Sequence, residues 1–153
     1  MPAKRTGVIT RIHANMVSVA FETFVIQNEV AYIIHKDERL KSEVIRVRKK
    51  SAEMQVYEST AGLKVGDRVE FTEELLSVKL GPGLLGQIFD GLQNPLPLLA
   101  QKCGFFLQRG VYIEALPDEA RWEFNPLLKP QDKIRPGERI GFVQEKIFKH
   151  YIM

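Results

Sequence analysis

Through its first half, this sequence is a succession of short apolar segments, each a few residues long and each ending in a polar turn. That pattern constrains the fold more than any other feature. Residues 16–21 alternate, which puts Val17, Val19 and Phe21 on one face, because successive strand residues point to opposite sides. Residues 30–34 are an unbroken apolar run, as in a strand covered on both faces. Residues 40–47 end in alternation, with Ile45 and Val47 on one side and Arg46 and Arg48 on the other. Residues 49–53 are polar and suit a hairpin loop, after which residues 54–57 resume the apolar pattern. Val65-Gly66-Asp67-Arg68 reads as a turn, followed by Val69 and Phe71 alternating with Glu70 and Thr72. Short strands at this spacing predict a small closed β-barrel of the six-stranded type over residues 1–75. Closure also removes the edges that such strands would otherwise expose.

The texture changes at Leu80. Gly81-Pro82-Gly83 is a sharp loop, and Leu84, Leu85, Ile88, Phe89 and Leu92 then recur at helical spacing. Asn94-Pro95-Leu96-Pro97 reads as the stop of that helix. Residues 76–102 are therefore expected to be a connector with a short helix. On this reading Ile88→Asp or Phe89→Asp would bury an unpaired charge and unfold the connector. Residues 103–153 contain Phe105-Phe106-Leu107, Val111-Tyr112-Ile113, Trp122-Glu123-Phe124-Asn125-Pro126 and a Pro136-Gly137 turn. This texture of turns and strands resembles barrel-sandwich hybrid folds, biotinyl and lipoyl carriers among them. The modified lysine of those carriers has no counterpart in a Met-Lys or Asp-Lys hairpin here, so the likeness is architectural. The expected fold class is mainly β: barrel, short helical connector, then a partial barrel-sandwich-like bulge domain. The strand-like ending at Tyr151-Ile152-Met153 reads as a truncation.

Composition narrows the function classes. Hydrophobic residues are 44% and charged residues 27%, as in a folded globular chain. The net charge is only +3, from 22 Lys and Arg against 19 Asp and Glu. The densest basic run, Arg46, Arg48, Lys49 and Lys50, reads as a solvated hairpin tip, and nucleic acid is not an expected partner. The single cysteine, Cys103, cannot form an internal disulfide or a metal cluster, which points to a reducing compartment and a half-buried thiol. Residues 1–7 carry no signal-peptide pattern, and no apolar run approaches the ~18 residues of a membrane span. A soluble chain is expected, reaching a membrane only through partners.

No catalytic constellation emerges. Gly81-Pro82-Gly83-Leu84-Leu85-Gly86 matches G-x-G-x-x-G literally, but no βαβ unit surrounds it and no Lys-Ser or Lys-Thr completes a phosphate loop. It reads as a structural connector. His13, His35 and His150 lack metal-ligand spacing and read as surface or turn residues. Glu73-Glu74 and Asp118-Glu119 are adjacent in sequence and so diverge on a strand, which fits exposed turns. Trp122 and Phe124 are spaced to fill a core, with base stacking as the alternative. No catalytic, cofactor-binding or metal residue is expected in the chain.

Three segments carry a family resemblance. Gln55-Val56-Tyr57-Glu58-Ser59-Thr60-Ala61-Gly62-Leu63 is one. The second is Leu75-Leu76-Ser77-Val78-Lys79-Leu80-Gly81-Pro82-Gly83-Leu84-Leu85-Gly86-Gln87-Ile88-Phe89-Asp90-Gly91-Leu92-Gln93-Asn94-Pro95-Leu96. The third comprises Phe106-Leu107-Gln108-Arg109-Gly110 together with residues 122–143. Together they resemble the catalytic A subunit of vacuolar and archaeal-type rotary ATPases, in its bacterial form, from the N-terminal barrel into the bulge region. Residues 40–46 resemble a further strand of that family, with Ser42 where glycine is usual. Gly81, Pro82, Gly83, Leu84, Leu85, Ile88, Phe89, Asp90, Gly91 and Pro95 are the signature positions, structural in role.

The resemblance implies a barrel that joins an alternating A/B hexamer, a bulge directed to the peripheral stalk, and a head turning a central rotor. It implies ATP or ADP with Mg²⁺ in a following domain, ATP hydrolysis or synthesis coupled to H⁺ or Na⁺ transport, and a peripheral place on the cytoplasmic face of a membrane. No catalytic residue carries over to these positions. A free-standing barrel scaffold without ATPase activity is the alternative reading.

Overall fold

The computed structural model describes residues 5–104 and 106–153. Residues 1–4 of the N-terminal stretch and Phe105 of the first apolar run after the connector lie outside the described residues. The chain divides into two compact units. One runs to Ser77 and takes in residues 106–111, and the other comprises residues 78–104 and 112–153.

The first unit is a closed six-stranded barrel. Its strands are β1 (Thr6–His13), β2 (Met16–Phe21), β3 (Glu29–His35), β4 (Glu38–Arg48), β5 (Ser51–Val56) and β6 (Arg68–Leu75), in the order β1-β2-β5-β4-β3-β6. Every neighbouring pair is antiparallel. Alternation builds the core as expected on β2 and β6, where Val17, Val19, Phe21, Val69 and Phe71 are buried. They pack with Ile9, Ile33, Leu40, Val44, Met54 and Val56 in one cluster. Burying each such side chain contributes ~1.5–3 kcal/mol, and a closed barrel lets every strand bury one face.

Three sequence expectations fail within the barrel. A β-bulge between Val44 and Arg46 adds a residue to β4, so Val44↔Met54 is followed by Arg46↔Glu53. The alternation changes phase there. Val44 is buried, Ile45 turns out to solvent, and Ile45 and Val47 do not share an inward face. The apolar run of β3 is not covered on both faces, since Tyr32 and Ile34 are only half-buried between Ala31, Ile33 and His35. The loop expected over residues 49–53 shrinks to Lys49-Lys50, because Ser51 already pairs with Arg48 and Ala20. Lys49 takes φ +35° to close it, and Ala14 and Lys36 take φ +52° and +53° in the other tight hairpins.

The second unit holds α1 (Leu96–Cys103) and a three-stranded antiparallel sheet of β7 (Phe124–Pro126), β8 (Gly141–Glu145) and β9 (Phe148–Ile152), in the order β7-β8-β9. The helix lies elsewhere than its periodicity suggested. Residues 81–95 form turns, with Gly83, Gly86 and Gln93 at φ +105°, +82° and +66°, which no α-helix accommodates. Pro95 and Pro97 do not end a helix but begin one, with Pro95 at its N-cap. Proline is tolerated in a first turn, where its missing N–H would have no partner. Gly104 closes the helix at φ +74°, its N–H donating to Ala100 O at 2.8 Å.

Ile88 is 65% exposed, which overturns its expected place in a core. Ile88→Asp is therefore expected to change stability by no more than ~0.5 kcal/mol, read from the urea midpoint. A shift of several times that would put Ile88 inside. No helix of the described residues is long and apolar enough to cross a membrane.

Candidate functional site

The signature segment is organised by Asp90. Its Oδ1 accepts the N–H groups of Leu92 and Asn94 at 2.9 and 2.8 Å, and its Oδ2 accepts Asn94 Nδ2 at 2.8 Å. Such a carboxylate caps a turn with its own side chain. Asn94 is buried, and its Oδ1 accepts Ile113 N–H at 2.9 Å. Gln93 donates to Lys79 O at 2.6 Å and accepts Lys79 N–H at 2.7 Å, so the preceding extended segment is paired along its backbone. Leu96 N–H reaches Ile88 O at 2.9 Å, and Phe89 bridges Pro95. The signature positions thus fold into one hydrogen-bonded loop. Of its apolar members, Leu80, Leu85 and Ile88 are exposed, whereas Leu84, Phe89 and Leu92 are half-buried.

The Gly81 to Gly86 stretch does not fit a nucleotide phosphate. A phosphate cradle needs free N–H groups aimed at the anion and a helix opening behind them. Here turns follow rather than a helix, and Gly83 N–H donates to the buried carboxylate of Glu145 at 3.0 Å. A negative group already holds the position an anion would take.

The remaining candidates separate by burial. The basic run is a solvated tip: Arg46 and Arg48 each lie 3.7 Å from Glu53, and Lys50 lies 2.9 Å from Glu22. His13 is exposed, as expected. His35 is not a surface residue: it is buried, with Nδ1 2.7 Å from Asp67 Oδ2. The pairing needed tertiary structure, because Asp67 sits in the turn before β6. His150 is half-buried, its Nε2 2.6 Å from Glu145 Oε2. Trp122 and Phe124 do not fill a core, being 41% and 48% exposed; Phe124 lies on β7, an edge strand of a small sheet, and Trp122 in the irregular chain before it. Cys103 is half-buried at the end of α1. Among the described residues no group of three or more His, Cys, Asp or Glu could hold a metal ion.

One polar cluster on the barrel gave no signal in sequence beyond its motif. Arg109 Nε donates to Glu38 Oε1 at 2.9 Å and Nη2 to Glu38 Oε2. Its Nη1 donates to Ser59 O at 3.1 Å and to Ala61 O. Gly110 N–H donates to Glu58 Oε2 at 2.6 Å. The hydrogen bond from Arg109 holds the Glu38 carboxyl below its ordinary value of 4.5; desolvation opposes this, and the charges of Arg109, His35 and Lys36 add to it. A carboxylate with a depressed folded value stabilises above the unfolded value and loses that contribution as pH falls through the folded one. Arg109→Ala is expected to raise the Glu38 titration midpoint seen by NMR toward 4.5. An unmoved midpoint would mean that the ion pair does not form in solution.

Comparison with known proteins agrees with this architecture. Residues 9–73 match the beta-barrel domain of the ATP synthase alpha/beta family, and residues 113–153 match the barrel-sandwich domain of ATP synthase alpha/beta subunits. The V-type ATP synthase alpha chain 1 of Treponema pallidum is 53% identical over 147 residues, 96% of this chain and 25% of that protein. The V-type ATP synthase alpha chain of Treponema denticola is 53% identical over 150 residues, 98% of this chain and 26% of that protein. That of Borreliella afzelii is 48% identical over 147 residues, with 96% and 26% covered. The chain spans about a quarter of the length of these curated relatives. A closed barrel, a second unit with a small antiparallel sheet, two matching family domains and this identity along nearly the whole chain place it in the ATP synthase alpha/beta family.

Proposed function

We propose that this chain is the assembly region of the catalytic A subunit of a rotary ATPase that makes or hydrolyses ATP while moving protons or sodium ions. Residues 1–75 are the barrel that joins an alternating A/B ring, residues 76–102 the connector, and residues 103–153 the start of a bulge directed to the peripheral stalk, except that segment 106–111 belongs with the barrel. The head they belong to turns a central rotor and is peripheral on the cytoplasmic face of a membrane, touching it only through other subunits. The chain itself takes no part in ATP or Mg²⁺ chemistry. The observation that carries this reading is identity of about half over nearly the whole chain to V-type alpha chains. The occupied Gly83 N–H supports the non-catalytic role.

Two measurements test it together. Titration calorimetry with Mg-ATP is expected to show no binding by this chain. Native mass spectrometry of its mixture with the barrel region of a V-type beta chain is expected to show a mixed complex. Stoichiometric binding of Mg-ATP would overturn the first half of the proposal. A chain that stays monomeric beside the beta barrel at tens of micromolar would overturn the second.

A further inference from the structure

The segment 106–111 belongs to the barrel unit although it lies some fifty residues beyond the loop it touches. Apolar burial is slight over residues 106–108, and Val111 is half-buried. Phe106 and Leu107 are 85% and 72% exposed, and Gln108 is exposed as well. The hold is polar and concentrated at two residues, Arg109 and Gly110. The barrel meets Arg109 with four acceptors from two separate places: both oxygens of Glu38, which opens β4, and the carbonyls of Ser59 and Ala61 beyond β5. Acceptors set around a planar fork of N–H donors suit a guanidinium and not an ammonium, which lacks the fork. Gly110 adds a second selection. It takes φ +75°, where L side chains are strained, and its N–H is received by Glu58. A Cβ there would also stand 3.4 Å from Arg39 N.

We propose that Glu38, Glu58, Ser59 and Ala61 form a receptor for an Arg-Gly dipeptide, filled in this chain by its own residues 109–110, so that segment 106–111 is a latch. The receptor is open enough to exchange its occupant, with Arg109 and Glu38 side chains 24% and 36% exposed. The inference stands on barrel geometry and is independent of the rotary reading.

The test uses the full chain and a labelled peptide, Phe-Leu-Gln-Arg-Gly-Val. Arg109→Ala and Arg109→Lys are each expected to speed amide exchange across residues 106–111 roughly tenfold or more, the factor for losing one charge-assisted hydrogen bond. Amides of β3 and β6 serve as the folding control and are expected to stay protected. The peptide is expected to bind both variants, and to bind the wild-type chain roughly tenfold more weakly or less, because its own latch competes. Peptides with Lys for Arg, or Ala for Gly, are expected to lose that binding. The proposal fails if exchange at 106–111 is unchanged in both variants. It also fails if neither variant takes the Arg-Gly peptide, or if the Lys peptide binds as well. Should Arg109→Ala not fold, the Arg109→Lys chain carries the same outcomes.

Discussion

Glu29→Ala is expected to destabilise the barrel by roughly 3–5 kcal/mol, the usual cost of removing one partner from a buried charge pair. Glu29 is fully buried at the start of β3. Its Oε1 accepts Ile26 N–H at 2.6 Å, and its Oε2 accepts Glu73 N–H at 2.7 Å and Arg5 Nη2 at 2.6 Å. Arg5 also lies 2.8 Å from Glu73 Oε1 and donates to Phe24 O. One carboxylate therefore ties the residue just before β1, the β2–β3 loop and the irregular end of β6. Alanine would leave two N–H groups without an acceptor and a mostly buried guanidinium short of its main partner. Urea unfolding followed by circular dichroism measures the loss. A midpoint within error of wild type would mean that water already satisfies these groups.

Leu40→Ala is expected to cost ~2–5 kcal/mol, the range for truncating a buried leucine in a core that collapses only partly around the cavity. Leu40 is 0% exposed and pairs with Ile33 across β3–β4. Ile45→Ala on the same strand is expected to cost clearly less, because the bulge turns Ile45 to the outside at 37% exposure. Equal losses at the two positions would contradict the change of phase at Val44.

The barrel was legible because strand alternation is a local property of covalent geometry. Val17, Val19, Phe21, Val69 and Phe71 could be placed inward from spacing alone, and all are buried. The bulge at Val44 was not legible, since an inserted residue changes pairing with β5 without altering the composition of β4. The tight hairpins at Ala14, Lys36 and Lys146 gave little warning, because each takes positive φ without a glycine. The helix was misplaced for a related reason. Leu84, Leu85, Ile88 and Phe89 have helical spacing, but Gly83, Gly86 and Gln93 adopt φ values set by the Asp90 turn and the pairing of Gln93 with Lys79.

The chain by itself therefore determined its class, its family and the inward faces of β2 and β6, because these follow from side-chain periodicity and from motif identity. It also showed that residues 81–86 lack the lysine and hydroxyl residue that a phosphate loop carries in register. Only the tertiary structure decided that His35 is buried against Asp67, that Trp122 and Phe124 stay half open, and that Glu145 occupies Gly83 N–H. It alone brought Arg109 to Glu38, 71 residues away in the chain. The physical reason is common to all of these. Burial and charge pairing depend on which distant segments meet, and no local pattern of residues encodes that meeting.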